Sequence, residues 1–256
     1  MNNDELIRLG SQTARSGFQN EKDVIKTFNN WTTDELAQQW LVAMEYNLDD
    51  IEYVSAQLVK GHFKADIQVQ VTIKLTNVID CQNIQVKLVS NKRGFNQIDK
   101  RWIERYQSLW NMPENIANIL KHYTGELPPY RTDTRDRRRM FLDEMSPSDT
   151  QSLITWLTNN KPMIINDILK GRGHFSAEWI LVIRKTNKYD WVLLPINVAI
   201  NHYSVGDINF TNRGTLHIGR ITMQRKGGDN GRDTAKMLQF KLDPTELFNL
   251  NVSATS

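Results

Sequence analysis

Two stretches of alternating apolar and polar residues constrain the fold of this chain most strongly. In residues 65–75 and residues 83–89, apolar and polar side chains alternate from one residue to the next. A period of two residues is typical of a β-strand with one buried face, and two such runs so close in sequence predict an antiparallel hairpin. The apolar positions of the hairpin are Ile67, Val69, Val71, Ile73 and Leu75 on the first strand and Ile84, Val86 and Leu88 on the second.

The polar faces of this hairpin bring a carboxylate and an ammonium together. If the turn centres on Thr76 and Asn77, Asp66 lies directly across from Lys87, with Gln85 diagonal to it on the same face. Carboxylate, amide and backbone carbonyl oxygens suit Mg²⁺. The pattern therefore predicts a candidate Mg²⁺ site of Asp66, Gln85 and the Val86 carbonyl, with the Lys87 ammonium beside it. The alternative at this point is a plain cross-strand ion pair.

Glu21 is a further candidate ligand near the N-terminus. Asn20 is predicted to cap a helix that runs to about residue 30, and Glu21 precedes Val24 by three residues and Ile25 by four. This spacing places Glu21 on the apolar stripe of the helix. We expect it to join the metal site, the alternative being a carboxylate stabilised by the helix dipole.

The rest of the chain interleaves helical and strand patterns, which indicates a layered α/β or α+β fold. A second helix follows Thr33, and Asp99 is predicted to begin a helix that ends before Pro113. Further helices are predicted at residues 114–123 and, as a pair, at residues 148–170. Strands are predicted at residues 179–184, 191–194, 215–223 and 237–241.

The positive charge is unevenly distributed. The chain has 32 basic and 29 acidic residues, yet residues 84–105 hold six basic and two acidic ones, residues 131–139 five and two, and residues 220–241 six and two. Basic segments on an acidic background are typical of a surface that binds a polyanion. The alternative is that they are merely solvated faces.

Several classes of protein are excluded. A single cysteine, Cys81, leaves no intrachain disulfide and no multi-cysteine zinc site, and the five histidines include no pair spaced for a helical zinc motif. There is no G-x-S-x-G elbow and no phosphate-binding G-x-x-x-x-G-K-[ST] loop. No apolar run reaches the length of a membrane span, and the charged start lacks a secretory pattern, so we expect a cytoplasmic protein.

Several longer runs resemble a known family. The chain is similar, over roughly residues 5–248, to the GCGC-specific type II restriction endonucleases of the HinPI type in the PD-(D/E)xK nuclease superfamily, and more distantly to the MspI type. The runs that carry the resemblance are NIQVKLVSNKRGFNQIDK at 83–100, TGELPPY at 124–130, GRG at 171–173, AEW at 177–179, QRKGGDNGR at 224–232 and residues 237–248.

The resemblance implies a restriction-endonuclease-like core with a mixed central sheet flanked by helices, and a second, sheet-containing recognition region. We expect residues 1–130 to be catalytic and residues 131–256 to recognise DNA, packed as one compact unit. Asp66 would bridge to Mg²⁺, Gln85 and the Val86 carbonyl would complete its ligands, and Lys87 would contact the attacking water. Gln85 departs from the acidic residue, and Ala65 from the proline, of the superfamily pattern.

The resemblance also implies a target and a cut. Double-stranded DNA would be hydrolysed at GCGC after the first G, leaving a 5′ overhang, and a cognate methyltransferase would protect the host. Two alternatives remain open from the residues: a structure-specific repair or junction nuclease, and a DNA-binding protein without catalytic activity.

Sequence readout needs donors for guanine and acceptors for cytosine. We expect them in the 96–100 turn and the 224–232 loop, whose glycines allow the backbone to approach the bases. Arg135 and residues 137–139 are predicted as phosphate contacts or plain surface. The predicted DNA-binding residues are Asn96, Gln97, Lys100, Arg225, Lys226, Gly227, Gly228, Asp229, Asn230 and Arg232.

Overall fold

The computed structural model describes residues 19–61, 63–74, 78–90, 94–185, 189–211, 214–227 and 232–250. The helices are α1 (19–29), α2 (Glu35–Ala43), α3 (Ile103–Trp110), α4 (Glu114–Thr124), α5 (Pro147–Leu169) and α6 (Ile196–Tyr203). The strands are β1 (Ile51–Leu58), β2 (Ile67–Ile73), β3 (Val78–Val89), β4 (Asn96–Arg101), β5 (Trp179–Lys185), β6 (Tyr189–Pro195), β7 (Ile208–Phe210), β8 (Leu216–Ile218), β9 (Ile221–Arg225) and β10 (Leu238–Leu242).

The strands form two five-stranded sheets. The first has the order β1-β2-β3-β5-β6 and is mixed, because β3 and β5 are parallel while the other pairs are antiparallel. The second has the order β4-β10-β9-β8-β7 and is antiparallel throughout. The expected fold class, a mixed central sheet with helices and a second sheet-containing region, is confirmed.

The chain divides into two compact units at positions other than the expected boundary after residue 130. The first unit holds the described residues up to Gly94, Leu169–Ala199 and those from Asp243 onward, and the second holds Phe95–Ile168 and Ile200–Leu242. The reason lies in the parallel pairing of β3 with β5, which requires a long crossover connection. The segment 95–168 lies within that crossover and belongs to the second unit.

The core of the first unit lies between its sheet and helices α1 and α2. Phe28 of α1 and Trp40 of α2 have ring centroids 5.1 Å apart, and both are buried. Asp34 caps α2 by accepting hydrogen bonds from the amides of Leu36 at 3.0 Å and Ala37 at 3.2 Å. Asn20 is not a cap, because the helix already includes residue 19; its side chain is buried within α1.

The core of the second unit is built on aromatic rings. Tyr106 stacks on Trp110 at 4.6 Å, and both rings contact Phe240 of β10 at 5.4 and 6.0 Å. Asp99 does not begin a helix: it is buried in strand β4, where its carboxylate accepts hydrogen bonds from the Tyr106 hydroxyl at 2.8 Å and Arg101 Nε at 3.0 Å. The helix predicted there begins only at residue 103.

Two other expected elements differ in the structure. The helix pair predicted at residues 148–170 is one continuous helix, α5, which contains Pro162 in its interior. Strand β1 was not predicted, because its residues lack strict alternation; its burial follows the irregular pairing with β2. Among the described residues, no helix combines the length and apolarity needed to cross a membrane.

Gly125 directly follows α4, and the backbone of Arg138 is packed closely against it. Gly125 has φ +83°, and a Cβ there would lie 2.5 Å from the Arg138 carbonyl oxygen, whereas a Cβ on Gly227, at φ +63°, would meet no atom of the described residues within 4 Å. Both alanine variants impose left-handed strain, but only Gly125→Ala adds a clash with backbone. We expect Gly125→Ala to lower the free energy of unfolding by about 1–3 kcal/mol more than Gly227→Ala, as overpacking does. Urea denaturation measures this, and equal losses would contradict it.

Candidate active site

The register of β2 and β3 differs from the predicted one by two residues. Ile67 pairs with Ile84 and Ile73 with Val78, so the position of Asp66 lies across from Gln85 rather than Lys87. The expected two-residue turn is too short: four residues, 74–77, separate the paired ends of the strands. Because the shift is even, it leaves the face of every side chain unchanged. The predicted convergence of polar groups does not depend on the error.

Asp66 is held where the β2–β3 ladder ends. Its backbone amide donates to the Ile84 carbonyl at 2.9 Å, and its Oδ2 accepts from the Val86 amide at 2.7 Å. The Val86 amide lies beyond the last β2–β3 pair, so the Asp66 carboxylate accepts its hydrogen bond in place of a backbone carbonyl of β2. Charge-assisted bonds to a backbone amide are short and strong. The Asp66 carboxylate is therefore fixed against the residue between Gln85 and Lys87.

Gln85 carries a buried oxygen that no other group satisfies. Its side chain is 2% exposed, its Nε2 donates to the Lys64 carbonyl at 3.3 Å, and its Oε1 has no hydrogen-bond partner in the described part of the chain. A buried acceptor left unsatisfied costs about 1–3 kcal/mol. The Gln85 oxygen is thus oriented by Lys64 and available to a ligand.

Neighbouring amides on the same sheet face behave differently. Gln57 donates to Gln68 Oε1 at 3.1 Å, and Gln68 donates to Asn83 Oδ1 at 3.1 Å. Asn83 in turn donates to the His174 carbonyl at 3.0 Å. These amides satisfy one another in a chain across β1, β2 and β3. The unsatisfied oxygen of Gln85, two residues beyond Asn83, is therefore a local feature of the site.

Glu21 and Lys87 add two charges to this site. Burial raises the pKa of Glu21 to about 7, with a further rise from the negative charge of Asp66 and an opposing effect from Lys87. Glu21 on α1 is therefore within electrostatic reach of both the carboxylate and the ammonium. Lys87 itself is half-buried on β3. The structure thus brings together the predicted site residues of the first unit.

These groups fit a hard divalent cation. They comprise the carboxylates of Asp66 and Glu21, the free Oε1 of Gln85 and the carbonyl of Val86, all of which are oxygen donors of the kind Mg²⁺ prefers. Within the described ranges, no group of three or more His, Cys, Asp or Glu side chains is arranged to hold a metal ion. The amide and backbone oxygens would therefore have to complete the ligand set.

The predicted DNA-binding residues lie in the second unit. Asn96, Gln97 and Lys100 are on strand β4 rather than in a turn, because this segment pairs with β10. Arg225 ends β9, the other neighbour of β10. Arg232 directly precedes a 3₁₀ turn (Asp233–Lys236). Lys226 and Gly227 follow Arg225, whereas Gly228, Asp229 and Asn230 lie outside the described residues.

The start of the 224–232 loop is anchored to the 3₁₀ turn and to Met237, which precede β10. The Lys226 amide donates to Met237 at 2.8 Å, the Gly227 amide to Ala235 at 2.9 Å, and Arg225 Nε to the same Ala235 carbonyl at 3.1 Å. Burial lowers the pKa of Arg225, and the charges of Arg139 and Arg138 lower it further. Three guanidinium groups are therefore concentrated near the base of this loop.

Much of the charge of residues 131–139 is compensated locally. Arg131 pairs with Asp133, and Arg138 Nε lies 2.9 Å from Asp136. Arg135 pairs with Asp143 and with Glu144, whose Oε1 lies 3.1 Å from Arg135 Nε. Arg139 lies over the Phe141 ring, with its Cζ 4.1 Å from the centroid. Phosphate contact by this segment stays a prediction.

One contributor to the site was missed by sequence reasoning. Lys64 orients Gln85 through its backbone carbonyl, and a backbone group leaves no signal in residue type. Only the fold, which turns the chain towards β3 just before Asp66, brings this carbonyl into reach. If β2 began three residues earlier, Lys64 would pair with Lys87 in the observed register. The ladder instead ends at Ile67, and the Lys64 carbonyl contacts Gln85.

Comparison with known proteins identifies the family of this chain. The model of the R.HinP1I restriction endonuclease family matches residues 44–248, a range that includes Asp66, Gln85 and Lys87 but not Glu21. The crystal structure of the restriction endonuclease MspI in complex with its cognate DNA is similar in fold, with a TM-score of 0.56 and 14% identity over 86% of this chain and 83% of that one. A search of curated proteins finds no match. Because the family model spans most of the chain, this protein belongs to the R.HinP1I restriction endonuclease family and is a site-specific nuclease.

Proposed function

We propose that this protein is a Mg²⁺-dependent type II restriction endonuclease that cleaves double-stranded DNA at GCGC after the first G, leaving a two-base 5′ overhang. The observation that carries the catalytic part is the Asp66 carboxylate, fixed by the Val86 amide at 2.7 Å, beside the unsatisfied Gln85 oxygen and Lys87. The target and cut position rest on the sequence resemblance of the recognition segments to GCGC-specific enzymes.

The ligands of the ion in this proposal are Asp66, Gln85 Oε1, the Val86 carbonyl and Glu21. A bound Mg²⁺ would polarise the scissile phosphate and lower the pKa of a coordinated water. Glu21 would bind as a carboxylate, so its raised pKa of about 7 means that metal binding releases a proton near neutral pH.

Lys87 has two roles in this mechanism. Its ammonium orients the attacking water next to the phosphate, and it stabilises the negative charge that develops in the in-line transition state. Hydrolysis of the bond between the phosphorus and the 3′ oxygen leaves a 5′-phosphate and a 3′-hydroxyl. Each of these roles uses a side chain held by β2, β3 or the turn between Lys64 and Asp66.

Base recognition is assigned to the second unit. Lys100, Arg225 and Lys226 offer donors for the O6 and N7 of guanine, and Asp229 offers an acceptor for the N4 of cytosine. Asn96, Gln97, Asn230 and Arg232 supply further donors and acceptors, while Gly227 and Gly228 let the backbone approach the bases. MspI, the similar structure, was solved bound to its cognate DNA, which supports a duplex as substrate.

The division of roles follows the two units rather than the boundary after residue 130. The first unit carries the proposed catalytic groups and the second the proposed recognition groups. A type II activity further implies a cognate methyltransferase that protects the host DNA, and a cytoplasmic location where that DNA is accessible.

The specificity is tested by digesting unmethylated plasmid with Mg²⁺ and sequencing the fragment ends. We expect discrete fragments with two-base 5′ CG overhangs at every GCGC site, and none when chelator replaces Mg²⁺. A plasmid whose GCGC sites are all altered is the control and should remain intact. Discrete fragments with other termini would contradict the specificity, and cleavage confined to branched DNA would favour a junction nuclease.

Lys87→Ala and Asp66→Asn are each expected to reduce cleavage by at least about 10²–10³-fold, the usual effect of removing one transition-state contact. Duplex binding should persist, because the proposed recognition groups lie in the other unit. Lys74→Ala is the matched control: it removes one ammonium at the other end of β2, where Lys74 Nζ donates to the Asp49 carbonyl at 2.9 Å. Single-turnover kinetics measures the rates, and retained cleavage in either site variant would refute its role.

Gln85→Glu tests whether the buried amide faces a cation. The variant adds a negative charge beside Asp66, so we expect lower stability without metal and a larger rise in Tm on adding Mg²⁺ than the wild type shows, as linkage of binding to folding requires. Gln70→Glu is the control. It adds the same charge four residues after Asp66, on the same face of the sheet. A Mg²⁺-induced rise equal in all three proteins would contradict the assignment of Gln85 as a ligand.

A further inference from the structure

The second sheet carries a row of polar residues across all five strands. Asn209 of β7 pairs with His217 of β8, His217 with Thr222 of β9, Thr222 with Lys241 of β10, and Lys241 with Gln97 of β4. Directly paired residues point to the same side of a sheet. The row therefore lies on a single face.

A second polar row runs beside the first. Gln224 pairs with Gln239, and Gln239 pairs with Lys100. Thr215, two residues before His217, extends this row on the same face, and its carbonyl accepts from the Thr211 amide at 2.8 Å. The intervening residues point the other way and are buried, as Leu216, Met223 and Phe240 show.

A groove lies on this polar face. Its volume is about 700 Å³, and apart from the exposed ring of Phe95 its walls come from the two rows. His217 of β8 and Lys241 of β10 flank Thr222 of β9 in the groove, and both are half-buried. The wall residues of the rows are Thr211, Thr215, His217, Thr222, Gln224 and Lys241.

The charge of this face suits a polyanion. The two rows contain two lysines, Lys100 and Lys241, and no carboxylate. Lys241 forms no ion pair with any residue that the structure describes, in contrast to Arg131 and Arg138, which each face an aspartate. The face is also continuous with Gln97 and Lys100, which were already assigned to DNA.

His217 differs in kind from Lys241. Burial lowers the pKa of its imidazole, so the ring is neutral at pH 7 and offers one donor and one acceptor. Such a group can hydrogen-bond to a base edge or a sugar without adding to the electrostatic attraction. The two residues should therefore contribute to binding in ways that salt dependence can separate.

We propose that the polar face of the second sheet is part of the DNA interface, with Lys241 contacting a backbone phosphate and His217 hydrogen-bonding to the bound nucleotides. This inference rests on the proposed function, which assigned only strand β4 and the 224–232 loop to the duplex. It extends the interface from these two segments across β8, β9 and β10.

The test is duplex binding as a function of salt, with Ca²⁺ in place of Mg²⁺ and a short duplex containing one GCGC site. Loss of one phosphate contact should lower the slope of log K against log salt by about 0.9, so Lys241→Ala should bind several-fold more weakly at about 0.1 M salt with that smaller slope. Lys241→Arg should keep the slope. His217→Ala should bind about 3- to 10-fold more weakly with an unchanged slope, as expected for one neutral hydrogen bond.

Lys161→Ala is the matched control in the same unit. It removes one ammonium from α5, whose Trp156 contacts Trp110 and thereby packs behind the apolar side of the sheet. Its Nζ contacts the Gly206 carbonyl. This variant should bind DNA as the wild type does, and thermal melting of all variants checks that they remain folded.

The outcomes separate this inference from the proposed function. If wild type binds and cleaves at GCGC while Lys241→Ala and His217→Ala bind like Lys161→Ala, the inference is overturned and the proposed function stands. If wild type binds no duplex, both fall. A reduced slope in Lys241→Ala that Lys241→Arg restores supports the phosphate contact.

Discussion

The hydrogen bond from the Val86 amide to the Asp66 carboxylate is the interaction on which the site depends. It forms because strand β2 stops pairing at Ile67, one residue after Asp66, and leaves the next amide of β3 without a backbone partner. A carboxylate that satisfies a strand amide cannot swing away without exposing that amide. The position of the proposed catalytic carboxylate is therefore set by the end of the β2–β3 ladder.

Strand β3 also carries Gln85, whose buried side-chain oxygen is the second feature on which the site depends. Gln57 donates a hydrogen bond to Gln68 and Gln68 donates one to Asn83, whereas the buried oxygen of Gln85 has no partner among the residues that the structure describes. With Glu21 also desolvated, the site concentrates oxygen donors whose burial is unfavourable until a cation neutralises them. Pre-organisation of this kind lowers the cost of arranging ligands when an ion binds.

The two units divide the chain in a way that follows from the parallel pair β3 and β5. A parallel connection must cross from one end of the sheet to the other, and here that crossover is long enough to contain β4 and helices α3 and α4 of the second unit. The second sheet then has one face buried by aromatic rings and one polar face across five strands. The crossover thus supplies β4, an edge strand of the sheet on which DNA recognition is proposed.

The sequence by itself determined the alternating hairpin, the set of site residues Asp66, Gln85 and Lys87, and the mixed class of fold, because residue type and a period of two specify which side of a strand each residue faces. It did not determine the register of β2 and β3, which depends on the length of the connecting loop. Nor did it determine the burial of Asp99 in β4, where the carboxylate accepts a hydrogen bond from the Tyr106 hydroxyl of α3 instead of capping a helix. Contacts between residues distant in sequence decided the rest: the Lys64 carbonyl that orients Gln85, and the polar rows of the second sheet. These follow from strand pairing, and pairing is fixed only when the whole chain buries its apolar surface.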